Sequence, residues 1–159
     1  MNQTIETQIG TLLRQHGLSL AVAESCTGGL IGHRITNVPG SSEYFTGGVI
    51  AYANETKVSL LGVSWDTLST CGAVSRETVL EMASGARRSL GADIAVSVSG
   101  IAGPGGGTPD KPVGMVWIGL AALACEWQRV FRFPGDREQN KASAAEAALQ
   151  MLHEYLQGI

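Results

Sequence analysis

Five short runs with the length and character of β-strands, separated by stretches with helical periodicity, constrain the fold of this chain more than any other feature. Four of the runs are mainly apolar, as buried strands are, and the last is more polar and suits a sheet edge. The runs cover residues 18–23, 47–52, 93–99, 113–122 and 126–133. A chain with this alternation folds as layers of helices around a sheet.

Local start and stop signals delimit five predicted helices around these runs. Apolar residues recur at helical spacing from Ile5, and Gly17 is placed to end that helix. A second helix is predicted over 30–35, and the N-caps of the other three are predicted at Asn54, Ser75 and Asp136. Two strands follow one another directly before the last helix, so the sheet is not purely parallel. We predict a single domain over residues 1–159, a three-layer α/β/α fold with a mixed, mostly parallel sheet.

Charge, cysteine and histidine content exclude several classes of function. The 159 residues carry a net charge of −3, and their basic residues are dispersed, which argues against nucleic acid as a partner. The three cysteines and three histidines lack zinc-ligand spacing, and the odd cysteine count argues against a disulfide framework. The chain begins without a basic, apolar leader, and no run is long enough to span a membrane. We therefore expect a cytoplasmic protein without a metal site.

Three predicted loops leave strand ends, near Glu24, Tyr52 and Ser99. Ligands of open α/β sheets gather at the carboxyl ends of the strands. We therefore expect these three loops to contain the residues that carry the chemistry.

Ser25 is the candidate nucleophile of the first loop. It lies at a strand-to-helix turn, where unpaired helix amides bind phosphate or stabilise an oxyanion, and Gly28 lets a ligand approach the backbone. A capping role for Ser25 or Thr27 explains the same turn at least as well. Cys26 is a rival, because a helix N-terminus lowers the pKa of a thiol, but no histidine base lies near a strand-end loop.

Lys57 and Tyr52 are candidate partners of Ser25. Lys57 is one of only three lysines and follows Tyr52 by five residues. If the first two strands are neighbours, both side chains reach the Ser25 turn, where a desolvated lysine can act as the base of a serine. Glu24 is placed to orient the lysine or to hold its charge. A solvated helix lysine and a packed strand tyrosine are the alternative interpretations.

A glycine-rich loop and an arginine complete the candidate site. Five of the eight residues over 100–107 are glycines, which permits close approach of a ligand to the backbone. The loop matches neither the dinucleotide nor the Walker pattern, and Ser99 precedes it as a possible hydrogen-bonding group. Arg137 opens the last helix, where a cation is unfavourable, so it suits an anionic ligand. An ordinary surface arginine explains its position equally well.

Seven motifs together resemble the CinA C-terminal domain, a family named for competence- and damage-inducible proteins. They are AESCTGG at 23–29, GSS at 40–42 with Phe45, GGVIAYAN at 47–54 with Lys57, GAVS at 72–75, SGIAGP at 99–104, KPVG at 111–114 and GDR at 135–137. The resemblance runs from about the first strand to the last helix. The characterised activity of the family is nicotinamide-nucleotide amidase. Longer members carry an additional N-terminal nucleotide-binding domain, and this chain resembles the stand-alone amidase form.

The resemblance implies hydrolysis of nicotinamide mononucleotide to nicotinic acid mononucleotide and ammonia, without a metal or an organic cofactor. Ser25 would be the nucleophile, Lys57 its base, and Tyr52 an aid to proton movement or to positioning of the lysine. Arg137 would meet the phosphate of the nucleotide. The residues that we expect to bind this substrate are Thr27, Gly28, Ser99, Gly100, Gly103 and Arg137.

Three other functions stay open at this point. The same glycine loops suit a non-catalytic nucleotide-binding module linked to competence or to the DNA-damage response. The same turn suits an amidase of another small amide, or a cysteine hydrolase that uses Cys26. Apolar strands and helices with few charges also lead us to expect a homo-oligomer.

Overall fold

The computed structural model describes residues 2–159, which form one α/β domain. The helices are α1 (Ile5–His16), α2 (Leu30–Thr36), α3 (Asn54–Leu61), α4 (Trp65–Cys71), α5 (Arg76–Leu90) and α6 (Arg137–Gln157), with a 3₁₀ turn at Ser41–Glu43. The strands are β1 (Leu20–Glu24), β2 (Phe45–Ile50), β3 (Ile94–Gly100), β4 (Met115–Ala121) and β5 (Glu126–Arg132).

The five strands form a single sheet in the order β2-β1-β3-β4-β5. β1 pairs in parallel with both β2 and β3, whereas β4 is antiparallel to β3 and to β5. The prediction of a mixed sheet is confirmed. The sheet has two parallel and two antiparallel pairings, whereas we expected mostly parallel ones. The connection over 122–125 is too short for the crossover that a parallel pairing of β4 and β5 would need.

Helices cover both faces of the sheet, which confirms the three layers. α1, α2 and α6 pack on the face that carries Val22, and α3, α4 and α5 pack on the face that carries Ala21 and Ala23. Alternate residues of β1 thus pack against the helices on opposite faces of the sheet. On the second face, the hydroxyl of Ser97 in β3 donates to the carbonyl of Val79 in α5 at 2.5 Å.

Local capping signals predicted most of the helix ends. The glycines after α1 and α5 adopt the left-handed conformation, and the side chains of Ser75 and Asp136 cap α5 and α6. Asn54 is not a cap, contrary to expectation. Ala53 is the N-cap of α3, and Asn54 is the first residue of that helix.

α4 has no counterpart among the predicted helices. It is seven residues long and buries only Leu68, so no apolar stripe marks it in the sequence. The overlooked signal is Ser64, whose side chain accepts hydrogen bonds from the amides of Asp66 and Thr67. When a cap residue is the only sequence signal of a short helix, the segment is easily interpreted as a loop.

Three chemical features of residues 2–159 bear on function. None of the helices in this range combines the length and the hydropathy that a membrane crossing requires. The His, Cys, Asp and Glu side chains of the same range do not gather in groups of three or more that could hold a metal ion. All three cysteines are free thiols.

Candidate active site

The carboxyl ends of β1, β2 and β3 lie on one edge of the sheet, because β1 is parallel to both of its neighbours. Residues at these strand ends, together with the turn between α4 and α5 and the start of α6, surround a pocket of about 210 Å³. The pocket is lined by Ser25, Cys26, Tyr52, Asn54, Lys57, Ala73, Val74, Ser99, Gly100, Ala102 and Arg137. Its position is the one at which open α/β sheets bind ligands.

Ser25 and Lys57 form a buried pair in this pocket. Nζ of Lys57 lies 3.0 Å from Oγ of Ser25. The same nitrogen donates to the carbonyl oxygens of Ala51 at 2.9 Å and Tyr52 at 3.2 Å. Lys57 is only 1% exposed, and Ser25 is 7% exposed. The amino group therefore has three defined partners, and all of them are uncharged.

The connection from β2 to α3 brings Lys57 to Ser25. In the register of β1 and β2, Glu24 lies opposite Ile50, so the residues after both strands are neighbours. Lys57 lies one turn into α3, and helical side chains lean toward the helix N-terminus, so its amino group returns to the strand ends. Burial lowers the pKa of Lys57 from its ordinary value of 10.5, because desolvation disfavours the charged amine.

Glu24 forms hydrogen bonds within the turn that follows Ser25 and at the start of α2, and none with Lys57. Its buried carboxylate accepts hydrogen bonds from the Thr27 hydroxyl at 2.6 Å and from the amides of Ile31 at 2.9 Å and Gly32 at 3.0 Å. The expectation that Glu24 orients Lys57 is therefore incorrect. The carboxylate occupies the start of α2 and anchors the turn that presents Ser25.

Cys26 lines the pocket beside Ser25, but it is a poor nucleophile. Burial raises the pKa of its thiol to about 11, so the thiolate is scarce at neutral pH. Histidine, the base that a thiol nucleophile usually needs, is absent from the residues that line the pocket. Within residues 2–159, the amide of Cys26 has no backbone acceptor, and because Cys26 lines the pocket this N–H group is available to a ligand.

Ser99 and Gly100 form the β3 side of the pocket. The Ser99 hydroxyl donates to the carbonyl oxygen of Ala73 at 2.8 Å and is 1% exposed. Its oxygen keeps acceptor capacity for a donor group of a ligand. At Gly100 an added Cβ would lie 2.6 Å from a methyl group of Val116, so only glycine lets β3 and β4 approach here.

Arg137 and Tyr52 meet at the exposed side of the pocket. The guanidinium of Arg137 donates to the Tyr52 hydroxyl at 3.1 Å and to the carbonyl oxygen of Gly103 at 2.7 Å. The Tyr52 residue is 60% exposed, and only its backbone carbonyl contacts Lys57. A guanidinium has five N–H donors, so Arg137 retains donors for an anionic ligand.

A second cavity of about 550 Å³ adjoins the first. Ala102 and Arg137 line both cavities and thus form a shared wall. The side-chain amide of Asn140 supports this wall by donating to the carbonyls of Ala102 and Gly135, each at 3.0 Å. The inner pocket alone is smaller than the roughly 300–1,000 Å³ typical of ligand sites, and the two together reach that range.

Six of the nine predicted site residues line the inner pocket, and three do not. The six are Ser25, Tyr52, Lys57, Ser99, Gly100 and Arg137. Thr27 is buried and directs its hydroxyl to Glu24. Gly28 lies near Lys141, with 3.7 Å between an added Cβ and the lysine Nζ. Gly103 contributes its carbonyl to Arg137 instead of lining the pocket.

Sequence reasoning missed two features of the site. Ala73 and Val74 line the pocket, and only the GAVS motif at 72–75 drew attention to them. Asn140 supports the shared wall across 38 residues of sequence, and a single sequence carries no signal for such a contact.

Comparison with known sequences identifies one family. The model of the CinA C-terminal domain matches residues 2–156. A CinA-like protein of Chloroherpeton thalassium is 54% identical over 156 residues, which cover 96% of this chain and 37% of that protein. The chain thus spans little more than a third of the length of this curated relative.

Solved structures agree with the sequence match. A CinA superfamily protein from Klebsiella pneumoniae 700603 has a TM-score of 0.94 and 34% identity, with 98% of this chain and 97% of that chain covered. The competence/damage inducible protein CihA from Agrobacterium tumefaciens has a TM-score of 0.91 and 39% identity, with 99% of both chains covered. Agreement in sequence and in fold over nearly the whole length establishes that this chain belongs to the CinA C-terminal domain family.

Proposed function

We propose that this domain is an amidohydrolase that converts nicotinamide mononucleotide to nicotinic acid mononucleotide and ammonia. The observation that carries the proposal is the buried pair of Ser25 and Lys57, with 3.0 Å between Oγ and Nζ. A serine activated by a neutral lysine is a nucleophile for acyl transfer. The pocket that contains the pair lies where this fold class binds its ligands.

The two carbonyl acceptors of Lys57 explain how it acts as a base. A neutral amine has two hydrogens and one lone pair. With the hydrogens directed to the carbonyls of Ala51 and Tyr52, the lone pair points to Ser25, whose hydroxyl then donates to the amine. Burial, which lowers the pKa of Lys57, favours this neutral state.

The reaction proceeds through an acyl-enzyme. Oγ of Ser25 attacks the carboxamide carbon while its proton passes to Lys57. The amide of Cys26, which lines the pocket, stabilises the oxyanion, and such a donor typically contributes about 3 kcal/mol. Ser99 accepts a hydrogen bond from the carboxamide nitrogen, which takes the proton from Lys57 and leaves as ammonia. Water, activated by the same amine, then hydrolyses the ester to the carboxylate product.

Arg137 supports the proposal of a phosphorylated substrate. Its free N–H donors suit the two oxygens that a phosphate monoester offers to a guanidinium. The carboxamide-bearing ring occupies the inner pocket, and the ribose phosphate extends past Arg137 toward the adjoining cavity of about 550 Å³.

Family membership supports this proposal. The CinA C-terminal domain family, whose model matches residues 2–156, includes nicotinamide-nucleotide amidases. A link to competence or DNA damage, which the names of relatives express, stays a prediction for this chain. Self-association likewise stays a prediction.

Ammonia release tests the proposed function. Wild-type protein should release ammonia from nicotinamide mononucleotide, and Ser25→Ala should lower kcat by at least about 10³-fold, because the nucleophile is lost. A coupled ammonia assay measures the rate, and circular dichroism verifies that the variant is folded. Cys26→Ser is the matched control and should retain a rate close to that of the wild type.

Other outcomes would point to the alternatives. Full activity of Ser25→Ala would contradict the serine mechanism. Binding of the nucleotide without ammonia release by the wild type would favour a non-catalytic binding module. Release of ammonia from a different carboxamide in a substrate panel, with none from the nucleotide, would favour another amidase activity.

A further inference from the structure

The turn between α4 and α5 forms one wall of the pocket, and three hydroxyl groups hold its carbonyls. Ser75 and Thr78 both donate to the carbonyl oxygen of Gly72, at 2.9 Å and 2.7 Å. Ser99 donates to the next carbonyl, that of Ala73, at 2.8 Å. Two successive carbonyl groups of the turn are therefore occupied by the protein itself.

Two amides of the same turn have no such partner. Within residues 2–159, the N–H groups of Ala73 and Val74 donate to no backbone carbonyl, and both residues line the pocket. A backbone N–H group without an acceptor in the protein is free to donate to a ligand. These amides are therefore the donors that the wall offers to an oxygen atom of a ligand.

Lys111 holds this wall from the segment that follows the glycine-rich loop. Its Nζ donates to the carbonyl oxygen of Cys71 at 2.5 Å. The amino group also lies over Gly72, where an added Cβ would be 2.8 Å from Nζ. Gly72 has a φ of +80°, a conformation that glycine adopts without strain.

Lys111 is itself held in place by its own loop. Its amide donates to the Thr108 hydroxyl at 3.0 Å, and its carbonyl accepts from the Thr108 amide at 2.8 Å. The ion pairs found in residues 2–159 do not include Lys111. Its ammonium group therefore donates to a neutral backbone carbonyl next to the pocket and not to a carboxylate.

We propose that Lys111 is a positioning residue for ligand binding. By holding the carbonyl of Cys71, it keeps the Ala73 and Val74 amides where they bind an acceptor oxygen of the nucleotide. It also connects this wall to the segment that follows the glycine-rich loop. The proposal rests on the proposed amidase function for the identity of the ligand. Contacts of this kind act on substrate and transition state alike, so they set KM more than kcat.

Lys111→Met tests the proposal, because it removes the ammonium and keeps most of the side-chain volume. We expect KM for nicotinamide mononucleotide to rise about tenfold, because the amides that bind the nucleotide are no longer held in position, and kcat to stay within about twofold. In the Ser25→Ala background, where turnover is blocked, isothermal titration calorimetry should show a Kd about tenfold weaker with Lys111→Met than without it.

Arg129→Met is the matched control. Arg129 pairs with Glu154 on the surface and lines neither the inner pocket nor the adjoining cavity, so its loss removes one cation without touching the wall. This variant should keep the wild-type KM and Kd. If Lys111→Met does not fold, Lys111→Gln, which keeps a donor but shortens its reach, should show the same rise in KM and Kd.

The readouts separate the two proposals. An unchanged KM and Kd in the Lys111 variant, or a fall in kcat with unchanged KM, would overturn the positioning role. Nucleotide binding by the wild type without ammonia release would refute the amidase function, and the calorimetric comparison would still decide the role of Lys111. Absence of nucleotide binding by Ser25→Ala would contradict both.

Discussion

Lys57 combines full burial with partners that are all uncharged. An isolated charge in such a place is costly, so the neutral amine is favoured, and the lowered pKa of Lys57 expresses this preference. Groups with pKa values perturbed in this way concentrate at functional sites. From the sequence, Lys57 stood out only by the scarcity of lysine and by its spacing from Tyr52. Its contact with Ser25 bridges 32 residues and arises from the pairing of β1 with β2.

Arg137→Ala should impair binding of the phosphorylated substrate selectively. Loss of a charge-assisted hydrogen bond to phosphate is expected to raise KM for the nucleotide about 10- to 100-fold. KM for the unphosphorylated riboside should change much less. Steady-state ammonia release with both substrates measures the difference.

Tyr52→Phe is the control for this prediction. It removes the hydroxyl that Arg137 contacts and leaves the guanidinium charge in place. It should preserve the preference for the phosphorylated substrate. An equal rise in KM for nucleotide and riboside in Arg137→Ala would contradict a phosphate contact.

At the scale of elements, the position of α3, and with it Lys57, depends on close packing against α5. A Cβ added at Gly85 in α5 would lie 1.7 Å from the carbonyl oxygen of Leu61, the last residue of α3. On its other side α5 meets β4 at Gly119, where an added Cβ would lie 2.6 Å from the carbonyl of Val79. Glycine at both contacts lets α5 approach α3 and β4 closely.

Gly85→Ala should destabilise the protein because the added methyl group overlaps backbone and not a movable side chain. We expect the free energy of unfolding to fall by about 3 kcal/mol, the upper part of the range for overpacking. Urea denaturation measures the change. Gly105→Ala is the control, because an added Cβ there meets no atom within 4 Å. Equal stability of the two variants would contradict the close contact.

For the molecule as a whole, the topology places the proposed catalytic pair and the phosphate-binding candidate at one sheet edge. The parallel order β2-β1-β3 brings three loops together, and α6 returns to the same edge with Arg137. Arg137 contacts Tyr52 across 85 residues of sequence, so the site forms only when the entire domain is folded. The ionisation of Lys57 is in turn linked to global stability.

Lys57→Met should abolish activity and alter how stability depends on pH. The folded-state pKa of Lys57 lies below 10.5, so between the two values the unfolded chain binds more protons. The free energy of unfolding of the wild type, relative to Lys57→Met, should therefore rise with pH over that interval. One proton limits the slope to about 1.4 kcal/mol per pH unit.

Urea denaturation of both proteins at several pH values below 10.5 measures this difference. The other titrating groups are present in both proteins and cancel. Parallel stability curves would indicate that folding leaves the pKa of Lys57 unchanged, and they would remove the basis for a neutral base near pH 7.

Local signals in the sequence were enough to predict most elements and the main site candidates. Strand runs and caps such as Ser75 and Asp136 act between residues a few positions apart, so a single sequence displays them. The same reasoning brought Ser25 and Lys57 forward as candidates. It did not identify α4, which has a cap but no apolar stripe.

Only the tertiary structure decided which candidates meet. The Thr27 hydroxyl is engaged by Glu24, the Tyr52 hydroxyl meets Arg137, and Lys57 is buried against Ser25. Local signals in the sequence also could not predict the strand order or the equal number of parallel and antiparallel pairings. The physical reason is that such contacts join residues distant in sequence, and they depend on how whole layers pack.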